Sequence, residues 1–286
     1  MNALFGPAGN SDAFTKAGYK GNNSAPEFVH KCGLDAYEYQ CGRGVRVNAD
    51  SAEIFRQNAE HFGITVSLHS PYYISLSSVE AEKRDKSIDY ILDSAKAVSI
   101  LGGNRIVVHS GSCSKITREH ALKLAKDTLI KAQKALDDNG LSNIHICPET
   151  MGKLNQLGTL DEVIELCKID ERMIPCIDFG HLNARTIGSI KNIDDYEDII
   201  TKIGNALGED RMKHFHAHFS KIEYTDKGEK KHLTFEDNIY GPDFEPLCEL
   251  LARKNLCPTI ICESNGTQSD DAKSMKDAYL NALGGK

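Results

Sequence analysis

Eight times along the chain, a short β-branched or apolar run is followed by a turn and then by a longer segment with helical periodicity. The runs cover 3–5, 36–39, 64–68, 105–108, 144–147, 173–177, 213–217 and 259–262. From the second onward they start at 36, 64, 105, 144, 173, 213 and 259, which spaces the units 28 to 46 residues apart. Between the runs, Ile88, Ile91, Leu92, Ala95 and Val98 share one helical face, and so do Leu122, Ala125, Leu129, Ala132 and Leu136. Thr159 with Glu162 forms a capping box that starts a helix over 160–168, while Gly140 and Gly208 stand where helices should stop. Strands alternating with helices pair in parallel through right-handed crossovers. Eight such units predict an α/β fold, a (β/α)8 TIM barrel, with a doubly wound open sheet as the rival. No linker, charge block or low-complexity segment divides residues 1–286, so a single domain is expected.

Composition narrows the setting more than the fold. With 40% hydrophobic and 26% charged residues, the chain is neither disordered, collagen-like nor a coiled coil. A formal charge of −7 weighs, taken alone, mildly against a polyanionic partner. Nine cysteines without a C-x-x-C pair, several inside apolar runs, fit a reducing compartment. The first nine residues have neither a basic start nor an apolar run of signal length, and no stretch approaches 18 apolar residues. A cytoplasmic monomer without membrane contact is the expectation.

The strand ends carry the chemistry. The third run ends in His69 and the fourth in His109. The fifth ends in Glu149, the sixth in Asp178, the seventh in His214-Phe215-His216-Ala217-His218 and the eighth in Glu263. A lone histidine or carboxylate at a strand end is usually a satisfied polar residue or a helix cap. Six in succession are not, because in a barrel those ends meet at one mouth. Carboxylates and imidazoles crowded there need a cation to neutralise them, and mixed N and O donors suit divalent metal, more than one ion. Asp178-Phe179-Gly180-His181 returns a second donor to the same rim, and His232 is a further candidate in the loop after the seventh run.

The ordered series His69, His109, Glu149, Asp178-x-x-His181, His216, His232 and Glu263 resembles the endonuclease IV family of apurinic/apyrimidinic endonucleases, barrel enzymes with zinc in the mouth. The stretches Leu68-His69-Ser70-Pro71-Tyr72, Val108-His109-Ser110-Gly111-Ser112, Glu149-Thr150-Met151-Gly152 and Cys176-Ile177-Asp178-Phe179-Gly180-His181 carry the resemblance. It implies two to three Zn2+ ions, with Mn2+ an alternative. His69 and His109 would hold the first and Glu149 would bridge to the second. Asp178, His216 and Glu263 would complete the second, and His181 and His232 would hold the third. Glu149 and Glu263 would be catalytic. The activity implied is hydrolysis of double-stranded DNA on the 5′ side of abasic sites, a step of base excision repair. Tyr72 matches a residue that enters DNA at the lesion, Tyr73 stands beside it, and Arg43 or Arg46 would supply a minor-groove contact.

The chain departs from that pattern in places. Lys230 stands where the family has an aspartate two residues before the histidine matching His232. Glu229 or His218 would fill the gap, or the third site is weak or empty. The loops after the first two strands also differ. Two further readings therefore stand beside the nuclease. One is a sugar isomerase or epimerase of the related xylose isomerase-like barrels, using Glu149, Asp178, His216 and Glu263 as a single metal site. The other is a non-catalytic zinc or nucleic-acid binder. His69 with His109 separates the first from the nuclease, since a one-metal sugar enzyme needs no ligand pair on strands three and four.

Overall fold

The computed structural model describes residues 2–285. Its strands are β1 (Leu4–Pro7), β2 (Ala36–Gln40), β3 (Thr65–His69), β4 (Arg105–His109), β5 (His145–Glu149), β6 (Cys176–Asp178), β7 (His216–Phe219), β8 (Ile222–Thr225), β9 (Gly228–His232) and β10 (Thr259–Cys262). All but β8 and β9 form one sheet in the order β1-β10-β7-β6-β5-β4-β3-β2, and every pairing in it is parallel. The two ends of that order meet. Asp35 N–H donates to the Phe5 carbonyl at 2.8 Å and Gly9 N–H to the Glu38 carbonyl at 2.9 Å, so the sheet closes into a (β/α)8 barrel. Closure depends on Gly6, where an added Cβ would stand 1.8 Å from the Ala36 carbonyl oxygen.

The helices follow the sequence periodicity. In the helix Ala81–Ile100, Ile91, Ala95 and Val98 are buried, and in Arg118–Asp138 so are Ala125, Leu129, Ala132 and Leu136. The capping box of Thr159 and Glu162 starts the helix Leu160–Cys167, and Gly208 ends Ile193–Leu207. Among the described residues, no helix is long and apolar enough to cross a membrane.

Alternation along each strand sorts side chains into two shells. Leu68, Ile106, Val108, Ile146, Ile177, Ala217 and Ile260 point outward and join the core beneath the helices. Val107, Cys147, Ile174 and Cys176 form a separate apolar cluster. His109, Glu149 and Asp178 lie two residues beyond Val107, Cys147 and Cys176, so they occupy the next layer up, at the barrel mouth.

The seventh strand differs from its expected span of 213–217. Residues Glu209–Lys213 form a helix, with acidic Glu209 and Asp210 in its first turn and basic Arg211 and Lys213 in its last. That charge order complements the helix dipole. The strand therefore starts at His216 and runs to Phe219, and its register pairs His216 with Cys176 and His218 with Asp178. His216 falls in the lower layer and His218 in the upper.

The segment after β7, expected to be a loop, is the antiparallel hairpin β8–β9. Its sequence signals are the alternation of Ile222 and Tyr224 and the turn Asp226-Lys227-Gly228. It is pinned to the loop after β5, with Glu229 N–H donating to the Gly152 carbonyl at 3.2 Å and Leu154 N–H to that of Lys227 at 3.3 Å.

Candidate metal centre

The upper layer brings histidines and carboxylates from six strands, one helix turn and the hairpin within reach of one another. Five sets among the described residues have donor atoms all within 4.8 Å of each other: His69, His109 and Glu149; Glu149, Asp178, His218 and Glu263; His181, Glu229 and His232; His69, His218 and Glu263; and Cys176, His216 and His218. Glu149 belongs to two of them. Its Oε2 stands 3.5 Å from His69 Nε2 and 3.4 Å from His109 Nε2, while its Oε1 is 3.0 Å from His218 Nδ1. Glu263 Oε1 lies 3.5 Å from the same Nδ1, and Glu229 Oε2 lies 3.5 Å from His181 Nε2.

Most of these rings are anchored from behind. His69 Nδ1 bonds the Ser70 carbonyl at 2.9 Å, His181 Nδ1 the Thr150 carbonyl at 2.9 Å, and His232 Nδ1 meets Ser220 Oγ at 2.8 Å. A carbonyl accepts only from N–H, so His69 and His181 carry their proton on Nδ1 and turn Nε2 toward the shared space. Asp178 divides its oxygens in the same way. Oδ1 accepts the His181 N–H at 2.7 Å and caps the helix Phe179–Arg185, leaving Oδ2 to the site. The spacing of Asp178 and His181 is thus that of an N-cap and its first helical turn rather than of a loop.

The electrostatics are those of crowded like charges. Burial raises Glu149, but His218, His69 and His109 outweigh it and hold the carboxyl well below its usual range. Burial pushes Asp178 and Glu263 up. His181 is lowered by burial, yet Asp178, Glu229 and Glu149 hold it at about 9. Burial takes His109 down to about 3. Asp178 and Glu263, made weaker acids, beside His181, made a stronger base, mark an excess of negative charge that a cation would relieve, while Glu149 and His109 shift the other way.

The donors fit divalent cations. Ligand atoms on a tetrahedral ion with bonds of about 2.0–2.1 Å stand roughly 3.3–3.4 Å apart, close to the 3.4 and 3.5 Å around Glu149 Oε2. Glu149 Oε2 and Asp178 Oδ2 are buried and accept no hydrogen bond among the described residues.

Two expectations need correction. His216 does not reach Asp178 and Glu263; its Nε2 bonds Glu38 Oε2 at 2.9 Å one layer down, and His218 occupies the upper position. His232 lies in β9 rather than in a loop. Lys230 does not disrupt the third group, because it is the extra residue of a β-bulge. Glu223 pairs with Lys231 but Tyr224 pairs with Glu229, which sets Glu229 and His232 on one face despite their three-residue spacing.

The centre floors a cleft of about 760 Å³, whose walls include Tyr72, Lys153, Lys230 and Lys231. The Tyr72 ring lies 5.2 Å from that of His69 and 5.3 Å from that of His109 and remains 57% exposed. A Cβ on Gly42 would stand 2.3 Å from that ring, so the loop after β2 is seated on it. Arg43 is exposed on this loop. Tyr73 packs against Tyr90 at 4.6 Å, and Arg46 lines a different depression with Lys20, Tyr39 and Asn48.

Fold and site together define a (β/α)8 barrel with a histidine–carboxylate centre at the carboxyl ends of its strands. Residues 26–280 match the family model described as the xylose isomerase-like TIM barrel, and the chain belongs to that family. It is 32% identical over 252 residues to an uncharacterized protein of Methanocaldococcus jannaschii, covering 88% of this chain and 90% of that one. It is 26% identical over 178 residues to a probable endonuclease 4 of Acholeplasma laidlawii, covering 56% of this chain and 60% of the relative. Among solved structures it is similar to endonuclease IV from Thermus thermophilus (18% identity, TM-score 0.69, covering 99% and 100% of the two chains). It is equally similar to a D-tagatose 3-epimerase-like protein (20% identity, TM-score 0.68, covering 88% and 90%), and at these identities the likeness concerns the fold.

Proposed function

We propose that the protein is a metal-dependent phosphodiesterase that cleaves double-stranded DNA on the 5′ side of abasic sites. The observation that carries this reading is the number of donor groups. An isomerase or epimerase with one ion would use Glu149, Asp178, His218 and Glu263 and leave His69, His109, His181, Glu229 and His232 without a purpose. Burying so many ionisable groups is costly unless they are bound to something.

Two or three divalent ions, Zn2+ first and Mn2+ as the alternative, would supply a nucleophile at neutral pH and a positive clamp for a phosphodiester. Glu149 would join the first two sites through its two oxygens. Glu263, 14% exposed in its side chain, faces the cleft and would contact the reacting group. Lys153, Lys230 and Lys231 line the wall and would attract the phosphates on either side of the scissile bond. Tyr72, held over the histidines with an open face, would fill the gap left by a missing base.

The test is incubation of the metal-reconstituted protein with a duplex carrying one abasic site, together with metal analysis. A single nick 5′ to the lesion and two to three ions per chain are expected. About one ion, no nick, and epimerisation of a ketose would replace this reading with the sugar enzyme.

A further inference from the structure

Glu38 lies in β2, fully buried, and belongs to none of the five donor groups. A buried carboxylate persists only when polar groups meet it, and here both oxygens have donors. Oε2 accepts Ser67 Oγ–H at 2.9 Å and His216 Nε2–H at 2.9 Å. Oε1 accepts the Gln40 amide N–H at 3.4 Å and lies 3.0 Å from His218 Nε2, a close contact outside hydrogen-bond angle that a small rotation of the ring would turn into a bond.

The contact with His218 decides that ring's role. A neutral imidazole has one N–H and one lone pair. If Nε2–H is given to Glu38, the lone pair on Nδ1 is aimed at Glu149 Oε1, 3.0 Å away, and Glu263 Oε1, 3.5 Å away. A lone pair facing two carboxylates is repelled by both, and a cation among the three reverses the sign. An inner carboxylate that takes the far proton of a histidine orients that ring as a ligand and makes it more basic.

Resting on the reading that these groups hold divalent ions, we propose that Glu38 is the positioning residue of the centre. It holds His218 as an Nδ1 ligand and is itself held by Ser67 and His216. This also accounts for the second histidine of His216-Ala217-His218: one serves the ion, and the other serves the carboxylate behind it.

The test is Zn2+ binding to the full-length apoprotein in competition with a chromogenic chelator, for wild type, Glu38→Gln and Ser67→Ala, with thermal melting of each. Glutamine can accept from only one of the two imidazoles. Glu38→Gln should weaken one class of Zn2+ site by about 10–100-fold and leave the others within about twofold, with Ser67→Ala weakening the same class to a smaller extent. Long-range 1H–15N spectra of the Zn2+-loaded wild type should show His218 protonated on Nε2 with Nδ1 bound to metal. Unchanged affinities in Glu38→Gln, or a His218 proton on Nδ1, would overturn the proposal. If Glu38→Gln does not fold, Ser67→Ala and the wild-type spectrum decide. Binding and tautomer are read without DNA, so a protein that behaves as described but leaves abasic duplex intact overturns only the nuclease reading.

Discussion

Glu149 faces two ways at once, with Oε2 between His69 and His109 and Oε1 against His218. Replacing it with glutamine keeps the volume but removes one oxygen and the charge. Glu149→Gln is expected to lower nicking by more than about 100-fold, since even partners of ligands cost ten- to hundredfold, while far-UV dichroism stays that of the wild type. Near-normal nicking would remove Glu149 from the reaction. His69, His109, Glu149 and Asp178 could be picked from the sequence because each is the last residue of its strand, where a barrel gathers its donors. His218 could not. The seventh strand was displaced by a polar helix turn, and a shift of two residues moves a side chain one full layer while keeping it inside the barrel.

Among the elements, the β8–β9 hairpin combines a sequence spacing that looks wrong with a geometry that works. Glu229 and His232 are three apart and would face opposite sides of a regular strand, but the bulge at Lys230 restores the face. Glu229→Ala should therefore lose about one bound ion per chain by metal analysis. Deleting Lys230 should retain it, because a two-residue spacing also puts both on one side of a regular strand. Loss of the ion in the deletion would show that the bulge does more than set the face.

Glu162, in the first turn of the helix Leu160–Cys167, gathers four donors. It accepts Arg118 Nε at 2.7 Å and Nη2 at 2.6 Å, and also the Gly158 and Thr159 N–H groups at 2.8 and 2.9 Å. Burial raises its pKa, but these donors outweigh burial and lower it. A lowered carboxyl stabilises the fold above the usual carboxylate pKa near 4.5 and loses that contribution as pH falls through the lower folded value. Glu162→Gln should cost about 1–3 kcal/mol at pH 7. The gap to wild type, followed by urea unfolding at stepped pH, should narrow below about pH 4.5. A gap that is constant down to pH 3 would contradict the assignment.

Over the whole molecule, closure and charge act together. The ring of eight strands aims the carboxylates at one point, and three bound divalent ions would bring the formal charge of −7 to about −1. The acidic total then no longer opposes a DNA partner, and the mouth becomes the most positive region. An ion held at a hundredfold excess over its Kd adds about 2.7 kcal/mol to the folded state. Chelation should accordingly lower Tm by at least roughly 5 °C, with recovery on adding Zn2+ back. A Tm indifferent to chelator would mean that the groups at the mouth hold no structural ion.

The eight-fold alternation of strand and helix, the faces of the long helices and the His or carboxylate at successive strand ends are written in the local sequence. All of these depend on near neighbours, through residue periods of 2 and 3.6. Which histidine of His216-Ala217-His218 stands at the mouth, that Glu229 shares a face with His232, and that Glu38 lies behind His218 depend on register between distant strands and on a bulge in a hairpin. Register is decided by what packs across the barrel. A one- or two-residue slip leaves the local pattern intact, so only the closed tertiary structure could choose.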